Sequence, residues 1–301
     1  MKVQTWLITG ATGLVGTALQ KALLNAGHRV RTLSRSPQDN SSSEAFAWDP
    51  NAGTLDRRAL DVVDVVVHLA GASVGQRWTP AHKRAILESR VQGTTLLRDE
   101  LQLCGFDGTW IQASAVGFYG NTSAPCDEGS PKGNGFLADV VEAWERASIS
   151  SQPQAWRLLH LRLGLVLSGQ GGTLDRLWPI YRLGLGAPLG SGAQAMSWVH
   201  LDDVVHMMLW LAQRPEAEGC FNATAPTSVS NEEFSQTLAQ VLGRPHWAPR
   251  VPAWALRAAM GDMAALLLEG QNAVPQRLLD LGFTWRHPNL LEALQSCAAT
   301  R

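Results

Sequence analysis

The chain has 301 residues, 45% of them apolar, and a formal net charge of −1. That size suits one large α/β domain, or one such domain with a smaller partner. With no basic tract and no run of about 20 apolar residues, nothing supports nucleic-acid binding, membrane-surface binding or a membrane span.

"QTWLIT" (4–9) reads as a buried strand, and Leu14 to Ala26 has helical spacing. "HRVRTLS" (28–34) and "AFAW" (45–48) are the next strands, with "QDNSSSE" (38–44) a polar surface loop between them. "DVVVHLA" (64–70) is a continuous apolar run, as expected of a central parallel strand covered on both faces. Pro80 opens a long helix that runs to about Cys104, and "TWIQAS" (109–114) is a further strand. A turn-rich stretch with Pro125, Pro131 and Gly133 precedes a helix over 136–148, and "LLHLRLGLVLS" (158–168) reads as one more buried strand. This β-α alternation predicts a Rossmann-type, doubly wound parallel sheet over residues 1–168.

Beyond Gly169 short elements sit between Gly/Pro clusters, then helices dominate: "NEEFSQTLAQVLG", "AWALRAAMGDMAALLLEG" and "NLLEALQSCA". Residues 169–301 are read as a smaller lobe, helical at its end (250–298), that covers the carboxyl edge of the sheet. Helix 202–212 is expected to pack back on the main domain. Cys104, Cys126, Cys220 and Cys297 form no CxxC pair, and no leader-like stretch precedes the first strand. A reduced, cytoplasmic protein without a structural metal is the expectation.

The first strand runs into "TGATGLVG", which places Gly10, Gly13 and Gly16 in a GxxGxxG turn that opens a helix. Those glycines give a tight turn, close backbone approach to a pyrophosphate and close helix–strand packing, while the helix start offers free N–H groups. Thr9, Thr12, Leu14 and Val15 flank the turn. Leu69, Ala70 and Gly71 after the central strand, with Ala113 and Ser114 on the next, complete the expected cofactor contacts. At the end of the second strand an NAD enzyme wants an acid for the ribose hydroxyls, whereas here Ser34 and Arg35 stand. A guanidinium binds a 2′-phosphate and an acid repels it, so NADP(H) is the expected cofactor.

On "TGATGLVG", "HLAGAS" (68–73) and "SAVGFYG" (114–120) the chain resembles the extended and atypical short-chain dehydrogenase/reductase superfamily. On "RWTPAHKRAILESR" (77–90), "FLADVVEAWE" (136–145), "MSWVHLDDVV" (196–205), "FNATAP" (221–226) and the terminal "VPAWALRAAMGDMA…LLDLGF" it resembles the YfcH-like "epimerase family" branch, with that branch's C-terminal domain of unknown function. The superfamily implies a catalytic Asn-Ser-Tyr-Lys set. Position by position, the Asn falls on Arg90, the Ser on Ala115 with Ser114 adjacent, and the Tyr and Lys on Phe136 and Val140. In the implied mechanism the Tyr pKa must fall from ~10 to near neutrality, roughly 4 kcal/mol of help from Lys and cofactor. Phe136 transfers no proton and Val140 holds no ribose hydroxyl. Val116 and Gly117 also replace the Asp-Glu of a dehydratase.

The remaining candidates each have a plainer alternative. Tyr119 is a proton donor or an aromatic of the pocket wall. Ser114 bonds substrate or carboxamide, or is small to admit the cofactor. Arg90 and Arg77 hold an anion, or, with Lys83, form a solvated helix face. Glu128 meets substrate or ties down its loop, and Asp202 is the helix N-cap more readily than a base. Trp78, Phe136 and Trp198, with Trp144, line a hydrophobic pocket for the substrate. The sequence thus reads as an NADP(H)-binding oxidoreductase-like enzyme with a small, anionic or neutral substrate, or as a catalytically silent NADPH-binding regulator. Monomer and homodimer, the latter through helices 80–104 and 134–148 as in related folds, both stay open.

Overall fold

The computed structural model describes residues 2–38 and 43–301, so most of the polar loop 38–44 lies outside the described residues. β1 (Thr5–Thr9) leads through the glycine turn into α1 (Leu14–Asn25), and β2 (Arg29–Ser34) and β3 (Glu44–Asp49) follow. β4 (Thr54–Leu55) folds back antiparallel on β3, and β5 (Val65–His68) returns to the centre beside β1. α2 (Pro80–Leu103), β6 (Thr109–Ala115), β7 (Pro125–Cys126), α3 (Phe136–Ala147) and β8 (Arg157–Leu163) continue the alternation. With β12 (Gly219–Ala223) at its edge, the eight-stranded sheet has the order β12-β8-β6-β5-β1-β2-β3-β4. This β12 pairs parallel with β8, so an edge strand comes from beyond residue 168.

Both faces of the sheet are covered, which is why every residue of β1 and β5 is buried and their centres are apolar. Trp6 and Ile8 point to one face, against Leu19 and Leu23 of α1 and Val204, Met208 and Leu211 of α5 (Leu201–Ala212). Leu7 and Val66 point to the other, against Leu97 and Leu101 of α2 and Trp110. The chain turns from β1 outward to β3, then back to β5. That reversal leaves a crevice at the carboxyl ends of β1 and β5, where an α/β sheet binds its ligand.

Three expectations are corrected. The strand read over 158–168 breaks at Gly164, where a Cβ would lie 2.5 Å from the Ser197 carbonyl oxygen. Its second part, β9 (Leu165–Leu167), leaves the main sheet to pair with β11 (Trp198–His200). The helix read over 253–270 breaks at Gly261, in the left-handed region (φ +60°), giving α7 (Ala253–Met260), a 3-10 turn and α8 (Ala265–Leu268). Helix α5 is capped by His200, whose ring accepts from the Asp202 amide, not by Asp202. Asp203 is buried, and its carboxylate accepts from the Arg286 and His287 amides.

The C-terminal lobe has its own core, built from α4 (Thr173–Arg182), α6 (Asn231–Val241) and α10 (Leu290–Ala299) around Trp178, Trp198 and Phe234. Two short ribbons secure it: β10 (Ala195–Met196) with β13 (Val229–Ser230), and β14 (Asn272–Ala273) with β7. α9 (Gln276–Asp280) follows β14 and packs near β12. Among the described residues, no helix is long and apolar enough to cross a membrane.

Candidate cofactor and substrate clefts

The crevice beside β1 is a cleft of about 970 Å³. Gly10, Thr12 and Gly13 form its floor, Ser34 and Arg35 one end, and Leu69 to Ala72 its inner wall. Gly10 has φ +68°, and a Cβ there would meet the Leu69 and Ala70 backbone at 2.8–2.9 Å. At Gly16 a Cβ would lie 2.4 Å from the Gly10 carbonyl oxygen. The turn therefore presses α1 against β1, and Gly13 caps the helix without a side chain. The first-turn amides of α1, including those of Leu14 and Val15, have no intrahelical acceptor and open toward an anion. A dinucleotide pyrophosphate fits this cradle. The Leu14 and Val15 side chains serve packing instead: Leu14 meets Gly172 and Val15 the main core.

Thr9 acts one layer deeper than expected. Its buried hydroxyl accepts from the Leu69 and Ala70 amides (3.1 and 3.2 Å), so its own hydrogen goes to His68 Nδ1 at 2.6 Å. His68 then carries its proton on Nε2 and donates to Thr94 at 3.1 Å. Burial, with Arg90 adding, takes the His68 pKa down to about 3, so the ring stays neutral. This clasp fixes the inner wall of the cleft.

Arg90, on α2, braces the same wall. Its Nη1 donates to the carbonyls of Ala72 (3.0 Å) and Ile86 (3.1 Å), and its guanidinium carbon lies 4.9 Å from the centre of the Trp144 ring. Burial lowers its pKa to about 10. No carboxylate pairs with it among the described residues. A Cβ on Gly71 would sit 3.3 Å from its Cζ, which places the group at the inner rim of the cofactor cleft. Arg77 is exposed and lines neither cleft.

The loop after β5 runs on to Trp78, which lines a second cleft of about 600 Å³ between α3 and the C-terminal lobe. Phe136 opens α3 there and meets Trp78 edge to face, centroids 5.1 Å apart. Val140, one turn on, is buried against Trp78 and Ile86. The Lys83 ammonium stands 5.2 Å from the Phe136 ring centre and 5.9 Å from that of Trp78, and pairs with Asp262 at 2.6 Å. Sequence reasoning placed Lys83 on a solvated face and missed Asp262, because 179 residues separate the two.

Ser114 and Tyr119 do not reach either cleft. Ser114 is buried and donates to Glu145 at 2.5 Å. Burial would raise Glu145, but the twofold contact with Arg162 (2.8 Å each) outweighs it and holds the carboxyl below its usual range. Tyr119 donates to Asn222 (2.8 Å) and accepts from Arg162 (3.0 Å), while burial pushes its pKa up to about 12. Ala113 is buried in β6, two residues from Ala115. Glu128 ties its loop: its oxygens accept from the Asn222 and Arg277 amides, and burial raises its pKa. It reaches neither Arg77 nor Arg90. Trp198 is corrected from pocket residue to lobe core, beside Leu167 and Trp178. Trp144 is likewise buried, beneath Arg90.

Among the described residues, two triads of metal-binding groups occur away from the clefts, Glu145-His160-Cys220 and His200-Asp202-His287. In the first, Glu145 is already paired with Arg162, and burial raises the Cys220 thiol to about 11, which opposes a thiolate ligand. In the second, His200 Nδ1 is the helix cap.

A model of the NAD dependent epimerase/dehydratase family matches residues 6–223. The chain belongs to this family. A second model, a domain of unknown function (DUF1731), matches residues 251–297, which include the roof of the second cleft. This epimerase-family chain is 41% identical over 292 residues to the epimerase family protein Mb2239 of Mycobacterium bovis, covering 95% of each. It is 34% identical over 300 residues to the mouse epimerase family protein SDR39U1, covering 97% of this chain and 98% of that one. A crystal structure of human SDR39U1 (isoform 2) with NADPH superposes with a TM-score of 0.88 at 32% identity, covering 99% and 100% of the two chains. The parallel Rossmann-like sheet and an NAD(P)-binding fold are thereby shown for this family member.

Proposed function

We propose that this chain is an NADP(H)-binding oxidoreductase of its family with a non-standard active site, acting on a small molecule held in the cleft beneath the C-terminal lobe. The observation that carries it is Arg35, which lines the end of the cofactor cleft with Ser34, where the described lining residues include no Asp or Glu. A guanidinium there favours the 2′-phosphate and an acid would repel it. The NADPH in the human SDR39U1 structure supports the same choice. Gly10, Gly13 and the α1 amides would hold the pyrophosphate, and Leu69 to Ala72 the inner half. When bound, the nicotinamide supplies or accepts a hydride.

The Tyr and Lys of the superfamily correspond in this reading to Phe136 and Val140. Neither moves a proton, so a substrate proton comes from water or from a polar side chain of the second cleft. Its partners are small molecules in a reducing cytoplasm, consistent with four free cysteines. The test is a tryptophan-fluorescence titration with NADPH and NADH. NADPH should bind at least ~10-fold tighter, since one charge-assisted phosphate contact is worth ~1.5–3 kcal/mol. Arg35→Asp should erase or reverse the preference. Equal affinities for the parent chain would sink the assignment.

A second reading, a catalytically silent NADPH-binding regulator, is favoured by one observation. The hydroxyls of Ser114 and Tyr119 are both committed to buried partners. NADPH binding without oxidation across a panel of carbonyl compounds would support it over the first.

A further inference from the structure

Lys83 and Asp262 face each other across the mouth of the second cleft, and their surroundings are unequal. Lys83 rises from the long helix α2, rests above two aromatic rings, and its side chain is 30% exposed. Asp262 lies in the 3-10 turn between α7 and α8, and its side chain is 69% exposed. Ala264 of that turn is buried, and Met263, Ala265 and Leu266 pack against the Trp78 and Val140 cluster, so the roof backbone is held while the Asp262 side chain alone reaches into solvent. The cation is therefore the fixed partner and the carboxylate the movable one. An ion pair with so exposed a partner contributes little to stability and yields readily to a competing anion.

We propose that Lys83 is the substrate-anchoring residue of this cleft, and that Asp262 is an internal stand-in for a carboxylate carried by the substrate. The substrate class is a small carboxylate with a flat apolar portion, its acid group on Lys83 Nζ and its flat portion against Trp78 and Phe136. The other charges at the cleft, Arg257 and Glu269, are exposed and of opposite sign, so they add no net bias. Binding exchanges one carboxylate for another on the ammonium and releases the Asp262 side chain to solvent. The inference rests on reading the second cleft as the substrate site, and it places the anion preference on Lys83 rather than on Arg77 or Arg90.

The test uses the full chain saturated with NADP⁺, so that no reduction occurs, and two matched probes in calorimetric titrations. Phenylpyruvate carries the carboxylate, and 1-phenylpropan-2-one lacks it. The parent should bind the acid more tightly than the ketone. Asp262→Asn frees Lys83 and should tighten the acid about tenfold while leaving the ketone within about twofold. Lys83→Met should abolish the difference between the probes. Opposite shifts in the two variants cannot arise from a common loss of folding. Equal binding of both probes to the parent, no binding of either, or weaker acid binding by Asp262→Asn overturns the proposal. NADPH affinity, titrated in the same variants, stays parent-like in every case unless the cofactor reading itself fails.

Discussion

Tyr119 gives its phenolic hydrogen to Asn222 across 2.8 Å, and the pair joins the loop after β6 to the edge strand β12. Both groups are buried, and Arg162 donates to the same phenolic oxygen. Tyr119→Phe leaves an acceptor and a donor without partners. We expect a loss of about 1–3 kcal/mol in urea unfolding, with NADPH affinity kept within a few-fold. Turnover that vanished at unchanged stability would instead make Tyr119 the proton donor.

The glycine turn predicts a ranking. Ala at position 16 drives a methyl to 2.4 Å from the Gly10 carbonyl oxygen, against 3.3 Å for Ala at 13. Gly16→Ala should cost several kcal/mol of stability and much of the NADPH affinity, since backbone must move. Gly13→Ala should be the milder of the two in thermal unfolding. The reverse order would show that the turn is not packed as described.

His68 gives the chain a pH dependence. Its pKa is about 3 folded against 6.5 unfolded, so between those values only the unfolded chain takes the proton. Stability is fully present above 6.5 and falls as pH drops toward 3, by up to about 1.4 kcal/mol per pH unit. His68→Gln removes this uptake. Its loss of stability from pH 7 to pH 5 should be smaller than the parent's by about 2 kcal/mol in denaturant titrations. Parallel losses in both proteins would contradict a buried neutral imidazole.

Arg90 and Arg77 separate cleanly. Arg90→Met removes two bonds to the Ala72 and Ile86 carbonyls. It should cost about 1–2 kcal/mol and loosen NADPH binding several-fold through the 69–72 wall. Arg77→Ala, at an exposed site, should change neither. Equal effects from the two variants would reassign Arg77 to the site.

Phe136→Tyr is expected to fold, because its ring borders a cleft. Val140→Lys puts an ammonium among Trp78, Ile86 and neighbouring apolar groups. That change should cost about 3 kcal/mol or more, so the Tyr-Lys pair cannot simply be restored. A double variant as stable as the parent, with carbonyl reductase turnover, would show that the cleft retains room for both.

The glycine turn, the central strands and Arg35 were legible because their signals are local: a spacing, an apolar run, a charge at a strand end. The fates of Ser114 and Tyr119 were not, since they depend on Glu145, Asn222 and Arg162, which only the sheet brings together. Trp198 shows the same limit. Twelve tryptophans look alike in sequence, and only the pairing of β11 with β9 sends this one into the lobe core. Lys83 read as surface because its partner lies in another lobe.

β12 has a consequence for how the chain comes to be folded. Residues 1–168 look self-sufficient, yet without 219–223 β8 would present an unpaired edge, and without α5 the face beside Trp6 and Ile8 would stand open. A protein shortened to residue 168 should therefore aggregate through that edge rather than fold. During synthesis the sheet stays incomplete until residues 219–223 have left the ribosome, and until then the β8 edge stays open to wrong pairing.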